Sequence, residues 1–243
     1  MNSSWQGKRL LITGGSSGIG LETVAKALSL GAVVSVLSRT ISEGLAKLDC
    51  DNLHMHQGSV SNHTDVQKWV EAARQRFGTF NTIINNAGAM YYMDVMAADY
   101  AQMKTMIETN CLGFINLIDC VLPLLKGRSD SHWLNITSDA GKQAFPGLAI
   151  YSGTKAFVEF SARAMRLELI QHNIKVTNIQ PGNVATPLHA LSTDSEVVAQ
   201  YGSHNSGQYL QPADVANAIT YAISTPHGIA VNEILIEPLS ESI

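Results

Sequence analysis

The chain has 243 residues, of which 45% are hydrophobic and 15% charged, against roughly 25% charged in an average domain. That is apolar enough for a large core and excludes long-range disorder; α/β folds of about 200–250 residues often form one unit, so residues 1–243 are read as a single domain. Sixteen Lys+Arg against 20 Asp+Glu leave a net charge of −4, the wrong sign for a protein built on binding nucleic-acid phosphates.

The first residues contain no apolar stretch of signal-peptide length. The greasiest later window, Leu112–Leu125, is interrupted by Asn116, Asp119 and Pro123 and falls short of the ~20 residues of a membrane span. Three cysteines (Cys50, Cys111, Cys120) with no CxxC pair point to reduced thiols and a cytoplasmic protein.

Short β-rich runs alternate with longer helical patterns, which argues βαβ units and a parallel sheet. In chain order the strands are expected at Arg9–Thr13, Val33–Leu37, Leu53–Gln57, Thr82–Asn85, His132–Thr137, Lys175–Gln180 and Glu233–Ile236. Several are apolar throughout, as strands covered on both faces are. Helices are expected at Gly18–Leu30, Val66–Phe77 (capped by Thr64 or Asp65 and stopped by Gly78), Asp99–Leu125, Tyr151–Gln171 and Pro212–Ser224. The stretch 187–210 shows no clear period and is a candidate substrate lid.

The first expected strand runs straight into Gly14-Gly15-Ser16-Ser17-Gly18-Ile19-Gly20 and then a helix. Glycines allow a tight turn and close approach to a pyrophosphate, and the helix N-terminus offers free N–H groups to the anion. The same residues also fit G-x-S-x-G, the hydrolase nucleophile elbow, but that elbow follows a strand deep in a chain, and only about a dozen residues precede it here. After the second strand an NAD site wants Asp or Glu for the ribose hydroxyls. Here the residues are Ser38, Arg39 and Thr40, and a guanidinium suits the 2′-phosphate of NADP(H).

Tyr151 and Lys155 stand four apart in a helical stretch, hence on one face a turn apart. A tyrosine of pKa ~10 is a poor base at neutral pH, and a neighbouring ammonium is expected to lower that value. His54 and His56, two apart on one strand, have no third metal ligand at useful spacing, so no metal site is expected.

Taken together, these motifs resemble the short-chain dehydrogenase/reductase family over essentially the full chain. Thr13-Gly14-x3-Gly18-x-Gly20 is similar to its cofactor turn and Asn85-Asn86-Ala87-Gly88 to its strand-four motif; Asn110, Ser138, Tyr151 and Lys155 match its tetrad, and Pro181-Gly182-x3-Thr186 its nicotinamide-facing segment. The resemblance implies a Rossmann-like doubly wound fold with a seven-stranded parallel sheet flanked by helices on both faces. It also implies hydride transfer between NADP(H) and a carbonyl or alcohol, and pairing of the long helices into a homodimer or homotetramer. The cofactor contacts it implies are Gly14, Ser16, Ser17, Gly18, Ile19 and Gly20 of the turn, Ser38, Arg39 and Thr40, and Ser59 and Val60. Further contacts come from Asn86, Ala87 and Gly88, from Tyr151 and Lys155, and from Pro181, Gly182, Val184 and Thr186. Within it, Tyr151 acts as general acid/base, Ser138 holds the substrate oxygen, Lys155 binds the nicotinamide ribose, and Asn110 holds a water that relays protons to Lys155. One departure stands out: Ser59 occupies the place of the usual adenine-binding Asp.

By resemblance, Tyr91, Tyr92, Phe145, Leu148 and the lid wall the substrate pocket. The lid contains no Lys or Arg, so a neutral, apolar ketone or aldehyde is expected. The alternatives are a 3-hydroxy acid anchored by Lys142 and an NADP-binding regulator without catalysis.

Overall fold

In the computed structural model, residues 5–128, 130–192, 194–202 and 209–240 are described; positions 193 and 203–208 of the expected lid lie outside them. Seven strands form the sheet: β1 (Arg9–Thr13), β2 (Val33–Ser38), β3 (Leu53–Gln57), β4 (Thr82–Asn85), β5 (Ser131–Ile136), β6 (Ile174–Pro181) and β7 (Glu233–Ile236). Every edge falls within one residue of its expected place. The order is β3-β2-β1-β4-β5-β6-β7, all parallel. The order reverses between β1 and β4, and such a reversal opens a crevice beyond the carboxyl ends of the strands.

Helices α1 (Gly18–Ser29) and α8 (Pro212–Ser224) cover one face, where Val24, Ala27, Val215 and Ile219 pack on Leu10, Ile12 and Val34. On the other face lie α3 (His63–Phe77), α5 (Gly113–Leu125) and α6 (Ala149–Leu169), whose Trp69, Phe114, Leu117 and Val158 meet Leu11, Ile83 and Trp133. The strands are apolar on both faces because both are covered.

Several boundaries differ from expectation for local reasons. Helix α3 begins three residues early because Asn62, not Thr64 or Asp65, caps it, accepting the Asp65 N–H. Gly78 ends it as expected, with φ 79°. Two short helices carry no legible period: α2 (Glu43–Ala46), capped by Ser42, and α7 (Ser195–Tyr201), capped by Asp194 inside the expected lid.

The helix expected over Asp99–Leu125 is three pieces: α4 (Tyr100–Met106), a π-helical turn (Ile107–Leu112) and α5. Its 26 residues are long and apolar enough, by length and composition alone, to cross a membrane, more than the Leu112–Leu125 window suggests. Yet Phe114, Leu117, Val121 and Leu125 are core residues, and Asn116 donates to the Val60 carbonyl at 2.9 Å.

Candidate active site

A cavity of about 690 Å³ opens beyond the carboxyl ends of the strands. At one end is the glycine turn after β1. Gly14 has φ +69°, and a Cβ there would lie 2.9 Å from the Ala87 Cα; a Cβ on Gly20 would lie 2.2 Å from the Gly14 carbonyl oxygen. The turn is laced to the end of β4. Thr13 Oγ1 accepts the Asn86 and Ala87 N–H groups, both at 3.0 Å, and the Asn86 amide donates to the Thr13 and Gly14 carbonyls at 2.9 and 3.1 Å.

Ser16, Ser17, Gly18 and Ile19 line the cavity, whereas Gly20 supports the turn from behind. The α1 N-terminus has no side-chain cap and no acidic residue in its first turn. Its N–H groups and positive dipole end are therefore free for an anion. No histidine bonds the Ser16 hydroxyl among the described residues, which leaves the hydrolase reading without a base.

Across β2, Ser38, Arg39 and Thr40 also line the cavity, as do Ser59 and Val60 after β3. The Ser38 hydroxyl is buried without a partner. Arg39 is exposed, and its guanidinium engages no protein group among the described residues. Ser59 shares a hydrogen with Ser61 at 2.8 Å, and its N–H donates to Asp65 at 2.9 Å. A free helix N-terminus, an orphaned hydroxyl and an unpartnered guanidinium along one trough fit a phosphorylated dinucleotide. Asn86, Ala87, Gly88, Pro181, Gly182, Val184 and Thr186 extend the trough to the middle of the sheet.

There β5 and α6 bring together Ser138, Tyr151 and Lys155, all buried and all lining the cavity. The Tyr151 phenol is hydrogen-bonded to Ser138, while burial pushes its pKa up and outweighs that bond. The expectation that Lys155 lowers it is not met in this arrangement: the Lys155 ammonium sits 5.6 Å from the Tyr151 ring centroid and donates to the Ile136 carbonyl at 3.0 Å. Burial brings Lys155 itself down to about 8, against the opposing charge of Glu159.

Glu159, one turn beyond Lys155, is 1% exposed. It accepts hydrogen bonds from Thr137, from Asn178 at 2.9 Å and from Gln180 at 3.0 Å. An amide ladder leads to it across three strands: Asn85 donates to Asn135, Asn135 to Asn178, and Asn178 to Glu159.

Asn110 sits in the π-helical turn, off the cavity wall. Its amide exchanges bonds with the Ala89 N–H and carbonyl, both at 2.9 Å, and donates to Thr154 at 2.9 Å. The π turn thereby ties the segment after β4 to α6, so in this arrangement Asn110 positions its neighbours and makes no bond to Lys155. π turns within α-helices are frequent at functional sites.

The substrate end is walled by Phe145, Leu148 and four residues of the expected lid, Leu188, His189, Leu191 and Tyr209. Tyr91 and Tyr92 are not on its wall; Tyr92 is buried behind it, its ring 6.5 Å from that of His189. Lys142 points elsewhere, held by Glu233 at 2.7 Å. Asp139, directly after Ser138, does line the cavity and was passed over in the motif.

Away from the cavity, His54 bonds Ser35 at 2.8 Å rather than completing a ligand set with His56. His63, Asp119 and Cys120 cluster within 4.8 Å, a group that sequence spacing does not show. Their polar atoms bond one another, His63 to Asp119 at 2.7 Å. Cys111 and Cys120 are half-buried free thiols.

The fold and trough define an oxidoreductase that binds a nicotinamide dinucleotide at the switch point of a parallel sheet. The short chain dehydrogenase family profile matches residues 8–196. Glycine betaine reductase of Emericella nidulans is 36% identical over 98% of this chain, which spans only 19% of that much longer protein. An uncharacterized oxidoreductase of Staphylococcus saprophyticus is 32% identical, with 97% of this chain and 98% of that one covered. Among solved structures, serine dehydrogenase complexed with NADP+ superposes with a TM-score of 0.88 at 27% identity, covering 97% and 96% of the two chains. The 3-ketoacyl-(acyl-carrier-protein) reductase from Brucella melitensis complexed with NADH gives 0.85 at 25% identity, covering 98% and 100%. The chain belongs to the short-chain dehydrogenase/reductase family.

Proposed function

We propose that the protein is an NADP(H)-dependent oxidoreductase acting on a carbonyl or secondary alcohol, with Tyr151 as the general acid/base. The observation that carries this reading is the buried Tyr151–Ser138 pair beside Lys155, opening on the same trough as the free α1 N-terminus and Arg39. When bound, the nicotinamide supplies or accepts the hydride. The α1 N-terminus, Ser16 and Ser17 hold the pyrophosphate, and Arg39, Ser38 and Thr40 hold the 2′-phosphate. Ser138 and Tyr151 orient the substrate oxygen, and the Tyr151 hydroxyl is the proton donor in reduction. Lys155 is an ammonium at neutral pH, the form that donates hydrogen bonds to the nicotinamide ribose.

The substrate reading is a carbonyl compound of largely apolar skeleton rather than an acid. The apolar wall supports it, and Lys142, the anchor that a 3-hydroxy acid would use, is committed to Glu233. The compounds named for similar proteins differ in charge. Glycine betaine and serine each carry a cationic nitrogen and a carboxylate and a 3-ketoacyl chain carries no cationic nitrogen, so the names leave the charge at this site open. The exposed apolar residues Ile115 of α5 and Phe157, Phe160 and Leu167 of α6 suit pairing with a second copy; light scattering on the purified protein reads that directly.

The functional reading is tested by absorbance at 340 nm on mixing protein, NADPH and a panel of aldehydes and ketones. Consumption of NADPH dependent on the carbonyl is expected. Cofactor binding without turnover across the panel would point to the regulator alternative.

A further inference from the structure

The substrate end of the cavity carries a charge that the oxidoreductase chemistry does not use. Asp139 is 8% exposed yet lines the cavity. Its Oδ1 accepts both the Ser138 hydroxyl and the Ala140 N–H, each at 2.7 Å. A capping role needs only that oxygen. Among the described residues, Oδ2 takes no hydrogen bond and is not sealed by protein. A buried carboxylate left half-satisfied in an apolar surround is costly unless something pairs with it.

Among the described residues, the charged side chains that line the cavity are Arg39, Lys155 and Asp139. Arg39 follows β2 and Asp139 follows β5, three strand spacings apart, about 14 Å. Lys155 is turned to the Ile136 carbonyl and its field is balanced by Glu159. Asp139 shares the cavity lining with Phe145, His189 and Tyr209, and aromatic faces are good neighbours for a soft cation. A second carboxyl, Glu237, lies within its field: burial and the Asp139 charge push the Glu237 pKa up, and one Glu237 oxygen is buried without a partner.

We infer that the site selects a carbonyl substrate bearing a positively charged nitrogen close to the reacting carbon, with Asp139 as its counter-charge and Phe145, His189 and Tyr209 as its aromatic wall. This rests on the oxidoreductase reading above and replaces the expectation of a neutral substrate. The position fits the chemistry. Asp139 is one hydrogen bond beyond Ser138, the hydroxyl that meets the carbonyl oxygen, so the cation lies within a few bonds of the carbon that changes. The arrangement also couples binding to reaction. The Asp139 charge is among the influences that raise the Tyr151 phenol. A cation seated against Asp139 cancels part of that field, and the phenolate left after proton donation costs less.

The test compares trimethylammonioacetaldehyde with 3,3-dimethylbutanal, its carbon isostere, as substrates with NADPH, each at its free-aldehyde concentration. The trimethylammonium group has no N–H, so a preference reads charge and not hydrogen bonding. A kcat/KM at least about tenfold higher for the cation is expected, with that ratio falling at least about tenfold in Asp139→Asn whatever the variant does to absolute rates. A measurement that needs no variant runs alongside: tetramethylammonium is expected to compete with the cationic aldehyde in the wild-type enzyme, and tert-butanol is not. Equal rates for the two aldehydes, or a preference for the neutral one, would overturn the inference and leave the oxidoreductase reading standing. Failure to reduce any carbonyl in the panel would overturn both.

Discussion

Replacing Glu159 by glutamine separates its electrostatic role from its structural one. The carboxylate takes three hydrogen bonds in a buried setting, from Thr137, Asn178 and Gln180. A glutamine can keep all three contacts. Its carbonyl faces Asn178 and Gln180, and its amide donates to Thr137, whose hydroxyl then gives its own proton to the Ile179 carbonyl at 3.0 Å. What is lost is the charge assistance, about 1 kcal/mol per bond, partly offset by no longer burying an anion. A net cost of about 1–3 kcal/mol lowers Tm by roughly 2–12 °C at this chain length. Glu159→Ala, in contrast, takes the acceptor from the buried Asn178 and Gln180 amides at about 1–3 kcal/mol each, a large share of a domain's stability, while Thr137 keeps the Ile179 carbonyl.

The chemical effect of Glu159→Gln is read in the pH profile. Lys155 is held at about 8 by burial, with Glu159 as the largest opposing influence. The ammonium is the working form, so the rate of reduction falls as pH rises through that value. Glu159 raises the Lys155 pKa, and its neutral replacement therefore moves the falling limb to lower pH. Charges one helical turn apart, about 6 Å, interact by about 1–3 kcal/mol at an effective dielectric near 20 or somewhat above, or about 1–2 pH units. The assay is kcat/KM for NADPH-dependent reduction between pH 5 and 10 on a variant whose melt shows it folded. A basic limb unmoved in the folded variant would refute the coupling between Glu159 and Lys155.

Arg39→Ala is expected to raise Kd for NADPH about tenfold or more and to change that for NADH less than about twofold, because only the former carries the 2′-phosphate. Fluorescence titration of the two cofactors checks it, and equal effects would make Arg39 an ordinary surface residue. Gly20→Ala places a Cβ against the Gly14 carbonyl oxygen, which cannot rotate away. The expected outcome is a loss of about 1–3 kcal/mol by thermal melt, with weaker NADPH binding as the turn is pushed open.

The sheet was legible because glycines and caps bound its strands and both faces are covered, so apolar runs such as Val33–Leu37 have one reading. The trough was legible for a different reason: its contacts are largely backbone, and glycine spacing records where backbone must come close. The π turn at Ile107–Leu112 was not legible, since one extra residue per turn leaves the apolar period of α4 and α5 nearly intact while rotating Asn110 onto Ala89 and Thr154. The cap of α3 was misplaced because Asn62, Thr64 and Asp65 are all good caps and only backbone geometry chooses among them. Asp139 was missed although its signal was present, a carboxylate immediately after Ser138 on the short bend that leaves β5. Lys142 is close to Ser138 along the chain, but its partner, Glu233 on β7, is 91 residues away and invisible to local spacing.

The central claim, that Tyr151 transfers the proton while NADP(H) transfers the hydride, is tested most directly by Tyr151→Phe. The substitution removes one hydroxyl from a buried ring and little volume. NADPH binding close to wild type is predicted, together with a fall in carbonyl-dependent NADPH oxidation at 340 nm of about 10²–10⁴-fold. A variant that binds NADPH and keeps more than about a tenth of the wild-type rate would contradict the assignment.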